Sequence, residues 1–350
     1  MSIHQIDLII DRIQALTPDA SRIDLIRPDR KPVSFIPGQF LTFLFDIEGE
    51  KIRRSYSICS CSQDSPIISV GVKRVPGGKV SNYMLDTLQQ GQTLSVVEPT
   101  GNFTFKPKPG VPEYVILFGA GSGITPLFSI LKSALQESPL VNIALVYANE
   151  SEDTVMFGAE LKELVATYSD RFRWIEILNH PKSFCNYTGL INNTLVLHLL
   201  GELYLSEFPS PEYYLCGPTG FMDVVLQALA DGGIPKAKIH KETFSAIPPA
   251  SGEGATEPLQ EREVTVIYND ETYKFSVLPT ESVLFSALDK NIDLPYSCQG
   301  GVCTACRGKL LSGKMHLDER EGLSDAEIAD GYVLTCVGHP LTEDVVIEIG

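Results

Sequence analysis

The amino-acid sequence predicts three domains: an antiparallel β-barrel, an α/β domain built on a parallel sheet, and a small α+β domain. Short alternating runs such as FLTFLF and IISVGVKRV, broken by Pro and Gly, indicate the barrel at residues 1–108. Apolar strands alternate with helical patterns over 109–246, which indicates βαβ units. Residues 247–260 have linker composition, and 261–350 open with two strand-like runs and a short helix.

Composition excludes several classes of partner. The chain of 350 residues carries 44 acidic and 28 basic residues, a net charge of -16, which opposes binding to a nucleic-acid phosphate backbone. No uncharged apolar run approaches the length of a membrane span, and the N-terminus has acids where a signal peptide would be purely apolar. We therefore expect a cytoplasmic protein with no membrane span and no nucleic-acid partner.

The small domain contains a cysteine motif, C-x4-C-x2-C followed by a distant fourth cysteine, which is the plant-type [2Fe–2S] spacing. Gly300 and Gly301 let the loop wrap a cluster closely. Zinc is the competing interpretation, but zinc sites usually show two C-x2-C pairs. The stretch resembles plant-type ferredoxins over 261–350, which implies a β-grasp ferredoxin domain. The expected cluster ligands are Cys298, Cys303, Cys306 and Cys336.

Two short motifs in the barrel indicate a flavin cradle, R-S-Y-S at 54–57 at the end of a strand and G-G-K-V-S at 77–81 at the start of a helix. Tyr56 offers a flat surface for the ring, Ser57 a donor near N5, and Arg54 a cation for the phosphates, with Ser81 and helix amides beside it. The alternative for R-x-Y-S is a surface strand, and Lys73 is either a phosphate contact or solvated. The barrel candidates are Arg54, Ser55, Tyr56, Ser57, Lys73, Gly78, Lys79, Val80 and Ser81.

These motifs resemble the ferredoxin–NADP reductase family over residues 5–244, whose barrel carries R-x-Y-S and a downstream G-x-x-S. The resemblance implies that the barrel is a FAD domain, and the G-x-x-S helix start favours FAD over FMN. It also implies that Phe244 covers the second face of the flavin, the alternative being ordinary core packing.

The α/β domain carries a glycine loop, G-A-G-S-G-I-T-P at 119–126, between a strand and a helix. Glycines let the backbone approach a pyrophosphate, and the helix dipole favours its charge. It departs from G-x-G-x-x-G at Ile124. The loop and C-G-P at 216–218 resemble the same family, which implies a nucleotide domain with Cys216 beside the nicotinamide; the alternative is an inert core thiol. The candidates are Gly121, Ser122, Gly123, Thr125, Pro126, Cys216, Gly217 and Pro218.

The choice between NADH and NADPH depends on the strand end at Asn149 and Glu150. A 2′-phosphate is bound by Arg, whereas an acid prefers the bare ribose hydroxyl. Relatives carry Arg where this chain has Glu150, so NADH is slightly favoured. We assign no general acid or base, and expect Ser57 and Cys216 to be the neighbours of hydride transfer.

Together the motifs predict an NAD(P)H-dependent electron-transfer reductase that contains FAD and a [2Fe–2S] cluster. The domain order resembles the reductase components of multicomponent oxygenases, which implies a protein electron acceptor, in particular a di-iron oxygenase. Residues 261–350 hold 16 acidic and 7 basic residues, which favours an acceptor with a basic docking patch. The alternatives are a redox sensor or a reductase of another acceptor, namely a hybrid-cluster protein, another hydroxylase or a quinone.

Overall fold

The computed structural model describes residues 5–61, 66–203, 208, 210–244, 258–301, 303–320 and 322–349. Most of the predicted linker, 247–260, lies outside the described residues. The three predicted folds, an antiparallel barrel, a parallel α/β sheet and an α+β domain, are all confirmed. No helix among the described residues is both long and apolar enough to cross a lipid bilayer.

The first domain is a six-stranded antiparallel sheet in the order β4-β3-β6-β1-β2-β5. A bridge between Ile58 and Val70 joins the two edges, so the sheet closes into a barrel. Alternate strand residues such as Leu8, Ile10 and Phe43 fill its interior. The elements are β1 Gln5–Thr17, β2 Ala20–Ile26, β3 Phe40–Ile47, β4 Glu50–Ser57, β5 Ile67–Lys73, helix α1 Lys79–Thr87 and β6 Thr93–Thr100.

The second domain is a parallel sheet in the order β10-β9-β8-β7-β11-β12, with helices on both faces. Its central strand, β7, is buried along its whole length, as its continuous apolar run predicts. The chain winds outward from β7 through β8 and β9, then returns to β11 on the other side. The elements are β7 Glu113–Ala120, α2 Ile124–Glu137, β8 Val141–Asn149, α3 Gly158–Thr167, β9 Phe172–Leu178, β10 Tyr187–Thr188, α4 Asn193–Glu202, β11 Glu212–Cys216, α5 Thr219–Asp231 and β12 Ile239–Glu242, with 3-10 turns at Gly121–Gly123, Glu152–Thr154 and Lys236–Lys238.

The third domain has a mixed sheet in the order β14-β13-β19-β15-β17, with helix α6 packed against it. Asn269 and Asp270 have φ of 52° and 62°, as a tight two-residue hairpin turn requires. A separate pair, β16 and β18, lies near the cysteine motif. The elements are β13 Arg262–Tyr268, β14 Glu271–Val277, α6 Val283–Asp289, β15 Arg307–Ser312, β16 Met315–Leu317, α7 Asp325–Ala329, β17 Tyr332–Leu334, β18 Gly338–Pro340 and β19 Val345–Ile349.

Candidate redox site

A cavity of about 400 Å³ opens where the end of β4, the start of α1 and the start of α2 meet, and its volume suits a bound organic cofactor. Every residue predicted from the sequence to hold a flavin lines this one cavity, although they come from separate stretches of the chain. The residues are Arg54, Ser55, Tyr56, Ser57, Lys73, Gly78, Lys79, Val80, Ser81 and Phe244.

Two aromatic side chains supply the flat surfaces of this cavity. Tyr56 ends β4 and packs edge-on against Phe43. Burial raises the pKa of its phenol to about 12, so the ring stays neutral. Phe244 follows β12 and is half exposed, which places it at the rim and not in a core. Ser57 is buried at the end of β4, between them in the wall.

The turn into α1 forms a polar wall of the cavity. Gly77 has φ of 71°, and a Cβ at Gly78 would lie 2.9 Å from Val75 Cβ, so glycine suits both positions. The backbone N–H of Val75 donates to the Ser81 hydroxyl at 3.0 Å. Gly78 at the N-cap supplies no side-chain hydrogen bond to the helix, so the first amides of α1 can stabilise an anionic phosphate beside the cavity.

The glycine loop lies at the point where the winding of the parallel sheet reverses, between β7 and β11. A Cβ at Gly123 would lie 2.1 Å from the carbonyl oxygen of Cys216, and one at Gly217 would lie 2.8 Å from Phe221. The turn at Gly121–Gly123 and the end of β11 therefore touch backbone to backbone, which only glycine permits at Gly123. Ligands bind at this position in open α/β sheets. Pro218 stands at the N-cap of α5 in the same loop pair.

The flavin cavity and the glycine loop adjoin. Ser122 and Thr125 line the cavity, and a Cβ at Gly71 in β5 would lie 2.5 Å from the Thr125 methyl group. The Lys73 ammonium pairs with Asp19 at 3.7 Å and stands beside the backbone of Gly121. Pro126 is buried in the first turn of α2. The predicted flavin site therefore adjoins the start of the predicted nucleotide site at Ser122 and Thr125.

A buried carboxylate that the sequence analysis missed also lines this region. Glu242 ends β12, pairs in register with Cys216 and is 6% exposed. Burial, and then the charge of Glu242, raise the pKa of the Cys216 thiol well above its ordinary value. Cys216 is therefore a neutral thiol. No spacing motif marks Glu242, because only the sheet pairing brings it to Cys216.

The predicted nucleotide-selecting residues stand at the end of β8. Asn149 is its last residue and is buried, and Glu150 follows it. Asn179 donates its side-chain amide to the Glu150 carboxylate at 2.8 Å, and His180 Nε2 lies 3.1 Å from the other oxygen. The loop after β9 thus fixes this carboxylate at the strand end, where an adenosine ribose would lie.

The four cysteines of the third domain gather around one point. Hydrogen bonding to Cys298, burial and the neighbouring thiols raise the pKa of Cys303 well above the ordinary value, and Cys298 and Cys306 do the same to Cys336. Among the described residues no set of three or more His, Cys, Asp and Glu side chains is already arranged at metal-binding geometry. The contacts of Cys303 and Cys336 with Cys298 and Cys306 place the four thiols near one another as a candidate cluster site.

The backbone around these thiols is as tight as a wrapped cluster requires. Gly301 has φ of 73°, and a Cβ there would lie 2.8 Å from Glu319 Cβ. A Cβ at Gly322 would lie 2.8 Å from the carbonyl oxygen of Cys303. The backbone N–H of Gly300 donates to Cys298 Sγ at 3.4 Å, an interaction that favours a thiolate. These residues fit a buried iron–sulfur cluster.

The third domain docks on the barrel beside the flavin cavity, which the sequence did not predict. A second cavity of about 170 Å³ lies at this contact and includes Cys298 and Glu242 in its walls. It shares four residues with the flavin cavity: Arg54, Ser55, Ser57 and Phe244. The candidate cluster ligand Cys298 therefore lines a cavity that shares part of its wall with the candidate flavin site.

Comparison with known families confirms the cofactors. Residues 7–105 match the oxidoreductase FAD-binding domain, 117–227 the oxidoreductase NAD-binding domain, and 266–341 the 2Fe-2S iron-sulfur cluster binding domain. The fold and site therefore define an NAD(P)H-dependent oxidoreductase with FAD and a [2Fe–2S] cluster. The match to an FAD-binding family also agrees with the choice of FAD over FMN.

Whole-chain comparisons give the family. The chain is 33% identical to a component of 1,2-phenylacetyl-CoA epoxidase from Escherichia coli (strain K12), over 97% of this chain and 96% of that one. It is 34% identical to the ferredoxin reductase component of 3-ketosteroid-9-alpha-monooxygenase from Rhodococcus rhodochrous, with the same coverage. Phthalate dioxygenase reductase shares the fold, with a TM-score of 0.62 at 23% identity over 99% of this chain and 98% of that one. The chain belongs to the ferredoxin–NADP reductase family, among the members with a C-terminal plant-type [2Fe–2S] ferredoxin domain.

Proposed function

We propose that this protein is the reductase component of an oxygenase system, which takes electrons from NADH and delivers them singly to the oxygenase. The observation that carries the proposal is the wall shared by the two cavities, because it sets the cluster ligand Cys298 beside the flavin residues Ser55 and Ser57. When bound, FAD would accept a hydride from the nicotinamide and pass electrons one at a time to the [2Fe–2S] cluster.

The barrel residues divide into a ring-binding and a phosphate-binding set. Tyr56 and Phe244 supply apolar surfaces for the flavin ring, and Ser57 supplies a hydroxyl beside it. Arg54, Lys79 and the amides at the start of α1 surround the part of the cavity that suits the phosphates. Lys79 already pairs with Glu50 at 2.6 Å, so it would exchange an exposed ion pair for the phosphate.

The nucleotide would lie across the strand ends of β7, β8 and β11. The backbone at 121–123 and the start of α2 would hold its pyrophosphate, and Glu150 would accept from its ribose. Ser57, in the wall of the flavin cavity, and the neutral thiol of Cys216, buried at the end of β11, would orient the nicotinamide against the flavin. Positioning of this kind is the main contribution of the protein to hydride transfer.

In the third domain, we assign the cluster to Cys298, Cys303, Cys306 and Cys336. The acceptor is a protein, and relatives at 30–34% identity are named as components of oxygenase systems. We infer a di-iron oxygenase such as a phenylacetyl-CoA epoxidase. The acidic third domain supports an acceptor with a basic docking surface. We propose a cytoplasmic location for the system, since the four cysteines outside the cluster site, Cys59, Cys61, Cys185 and Cys216, are not paired in disulfides.

The test is an anaerobic absorbance titration of the purified holoprotein with NADH and, separately, NADPH, following the flavin and cluster bands together. We expect NADH to bleach both sets of bands and NADPH to be the poorer reductant. Bleaching of the flavin alone would remove the cluster from the path of electrons, and bleaching of neither would refute the nicotinamide site.

The acceptor is tested separately by adding a purified di-iron epoxidase with its substrate to the reduced protein. Product formation that requires both proteins is the expected result, and it excludes a purely sensory role. If the reduced protein transfers electrons to small acceptors but supports no oxygenation, the oxygenase assignment fails while the cofactor assignment stands.

A further inference from the structure

Three hydroxyl groups meet at the contact between the third domain and the barrel. Thr42 and Ser55 face each other across β3 and β4, with their hydroxyls 2.9 Å apart. The Ser297 hydroxyl lies 3.2 Å from that of Ser55 and is also bonded to that of Thr42. Thr42 is fully buried and Ser297 is 5% exposed. The three side chains, here called the hydroxyl cluster, therefore bond to one another at a contact where Thr42 and Ser297 are buried and Ser55 is partly buried.

The sequence positions of the hydroxyl cluster tie it to both redox sites. Ser297 directly precedes the cluster ligand Cys298, and Ser55 directly precedes Tyr56 in the flavin motif. A shift of the iron–sulfur site against the flavin would therefore have to break this hydrogen-bonded contact. Buried hydrogen bonds are directional and costly to leave unmade, so they fix relative positions more sharply than apolar packing does.

An outer contact flanks the hydroxyl cluster. Arg53 donates to both oxygens of Asp293, at 3.0 and 3.2 Å, and its guanidinium lies 4.8 Å from the ring centre of Tyr296. Asp293 is mostly exposed, so this ion pair is screened by salt and contributes little by itself. The buried hydroxyls are the part of the contact that can hold a fixed geometry.

We propose that Thr42 and Ser297 are positioning residues for electron transfer between the two cofactors, because their hydroxyls hold the loop that binds the iron–sulfur cluster against the flavin wall. The proposal rests on the proposed function, since it presumes that electrons pass from the flavin to the iron–sulfur cluster. It adds that this step, and not hydride transfer from the nucleotide, depends on the hydroxyl cluster.

Two variants remove one hydroxyl each from opposite sides of the contact, Thr42→Val in the barrel and Ser297→Ala in the third domain. Thr42→Ser retains a hydroxyl and serves as the rescue. Ser276→Ala is the matched control, because it deletes an exposed serine hydroxyl of the third domain that bonds only to Glu261 among the described residues. Flavin content, the absorbance of the iron–sulfur cluster and its electron paramagnetic resonance spectrum are measured first for every protein.

Anaerobic stopped-flow mixing with NADH then resolves flavin reduction from reduction of the iron–sulfur cluster. We expect flavin reduction within twofold of the parent in all four variants. Reduction of the iron–sulfur cluster should slow about threefold or more in Thr42→Val and Ser297→Ala, since the net contribution of one buried hydrogen bond corresponds to about that factor in the population of the docked geometry. Thr42→Ser and Ser276→Ala should keep the parental rate.

The proposal is overturned if both hydroxyl deletions leave the rate of iron–sulfur reduction within twofold of the parent. It is also overturned if both lose a cofactor, because the hydroxyls would then maintain structure and not the transfer. If Ser297→Ala alone loses the iron–sulfur cluster, the rate measured in Thr42→Val decides the question, because Thr42 is far along the chain from every cluster ligand. A parent protein whose iron–sulfur cluster NADH never reduces would refute the proposed function instead.

Discussion

Replacing Gly123 by alanine is expected to disable the nucleotide site by forcing the turn at Gly121–Gly123 away from the end of β11. A Cβ at this position would lie 2.1 Å from the carbonyl oxygen of Cys216 and 2.7 Å from the amide nitrogen of Gly217, where real Cβ contacts do not fall below 3.0 Å. Both atoms belong to the backbone, so no side-chain rotation relieves the overlap. The turn at Gly121–Gly123 and the end of β11 must separate by almost 1 Å.

Two effects follow from that separation, one on stability and one on catalysis. Overpacking of this kind lowers the free energy of unfolding by about 1–3 kcal/mol, and a displacement of about 1 Å at a reacting site can slow a reaction by about 10²-fold. Trp174, the only tryptophan of the chain, lies on β9 of the same domain, so its fluorescence follows the thermal unfolding of that domain. Stopped-flow reduction of the flavin by NADH measures the catalytic effect.

Gly220→Ala is the matched control, because it lies in the first turn of α5 and a Cβ there meets no atom within 4 Å. It should unfold at the parental temperature or slightly above, since alanine favours helix, and it should keep the parental rate. A Gly123→Ala protein that matches Gly220→Ala in both measurements would show that this turn and the end of β11 are not held as tightly as the structure indicates.

Three further predictions concern other parts of the molecule. Glu150→Gln should lower the preference for NADH over NADPH by about tenfold or more, because a hydrogen bond to a charged group contributes about 1.5–3 kcal/mol. Asn179→Ala should shift the preference in the same direction by less. The measurement is the ratio of kcat/KM values for the two nucleotides, and an unchanged ratio in Glu150→Gln contradicts the assignment. Asp293→Asn should remove part of the salt dependence of the rate of iron–sulfur reduction, since the Arg53–Asp293 pair is exposed and screened. Stopped flow from low to high salt measures this dependence, and an equal dependence in parent and variant argues against a role for the pair. Burial raises the pKa of Cys59 to about 12, so its thiol is protonated at mildly alkaline pH, and iodoacetamide should label the partly exposed Cys61 first. Because the unfolded chain loses this thiol proton at a lower pH than the folded chain does, the free energy of unfolding should fall as pH rises above the ordinary thiol range. Peptide mass spectrometry reads the order of labelling, and faster modification of Cys59 would be inconsistent with its burial.

The sequence was sufficient for the folds and for most of the local site geometry, for a physical reason. Strand alternation, glycine loops and cysteine spacing act within short stretches of chain, so Tyr56 at a strand end, Gly78 before a helix and Cys303 in a tight loop could all be predicted. Glu242 and Gly71 were missed because their importance comes from pairing with Cys216 and contact with Thr125. Such contacts depend on tertiary packing and leave no local pattern.

The docking of the third domain was beyond sequence reasoning for the same reason. Ser297 directly precedes the cysteine motif and Thr42 lies within β3, and neither position carries a local signal of a role. The two residues gain a role only because their hydroxyls are hydrogen-bonded across more than 250 positions of the chain. Serine and threonine are too common on protein surfaces for their presence to predict such a contact. Arg53 was likewise passed over, although its neighbour Arg54 was identified from the flavin motif.

The wall shared by the two cavities has a consequence for how this enzyme behaves in air. Reduced flavins react with dissolved oxygen, and the docked ferredoxin domain borders the flavin cavity at the shared wall. In the proposed reductase, the same contact would therefore reduce the access of dissolved oxygen to the flavin. We expect the protein without its acceptor to consume little NADH and to release little hydrogen peroxide.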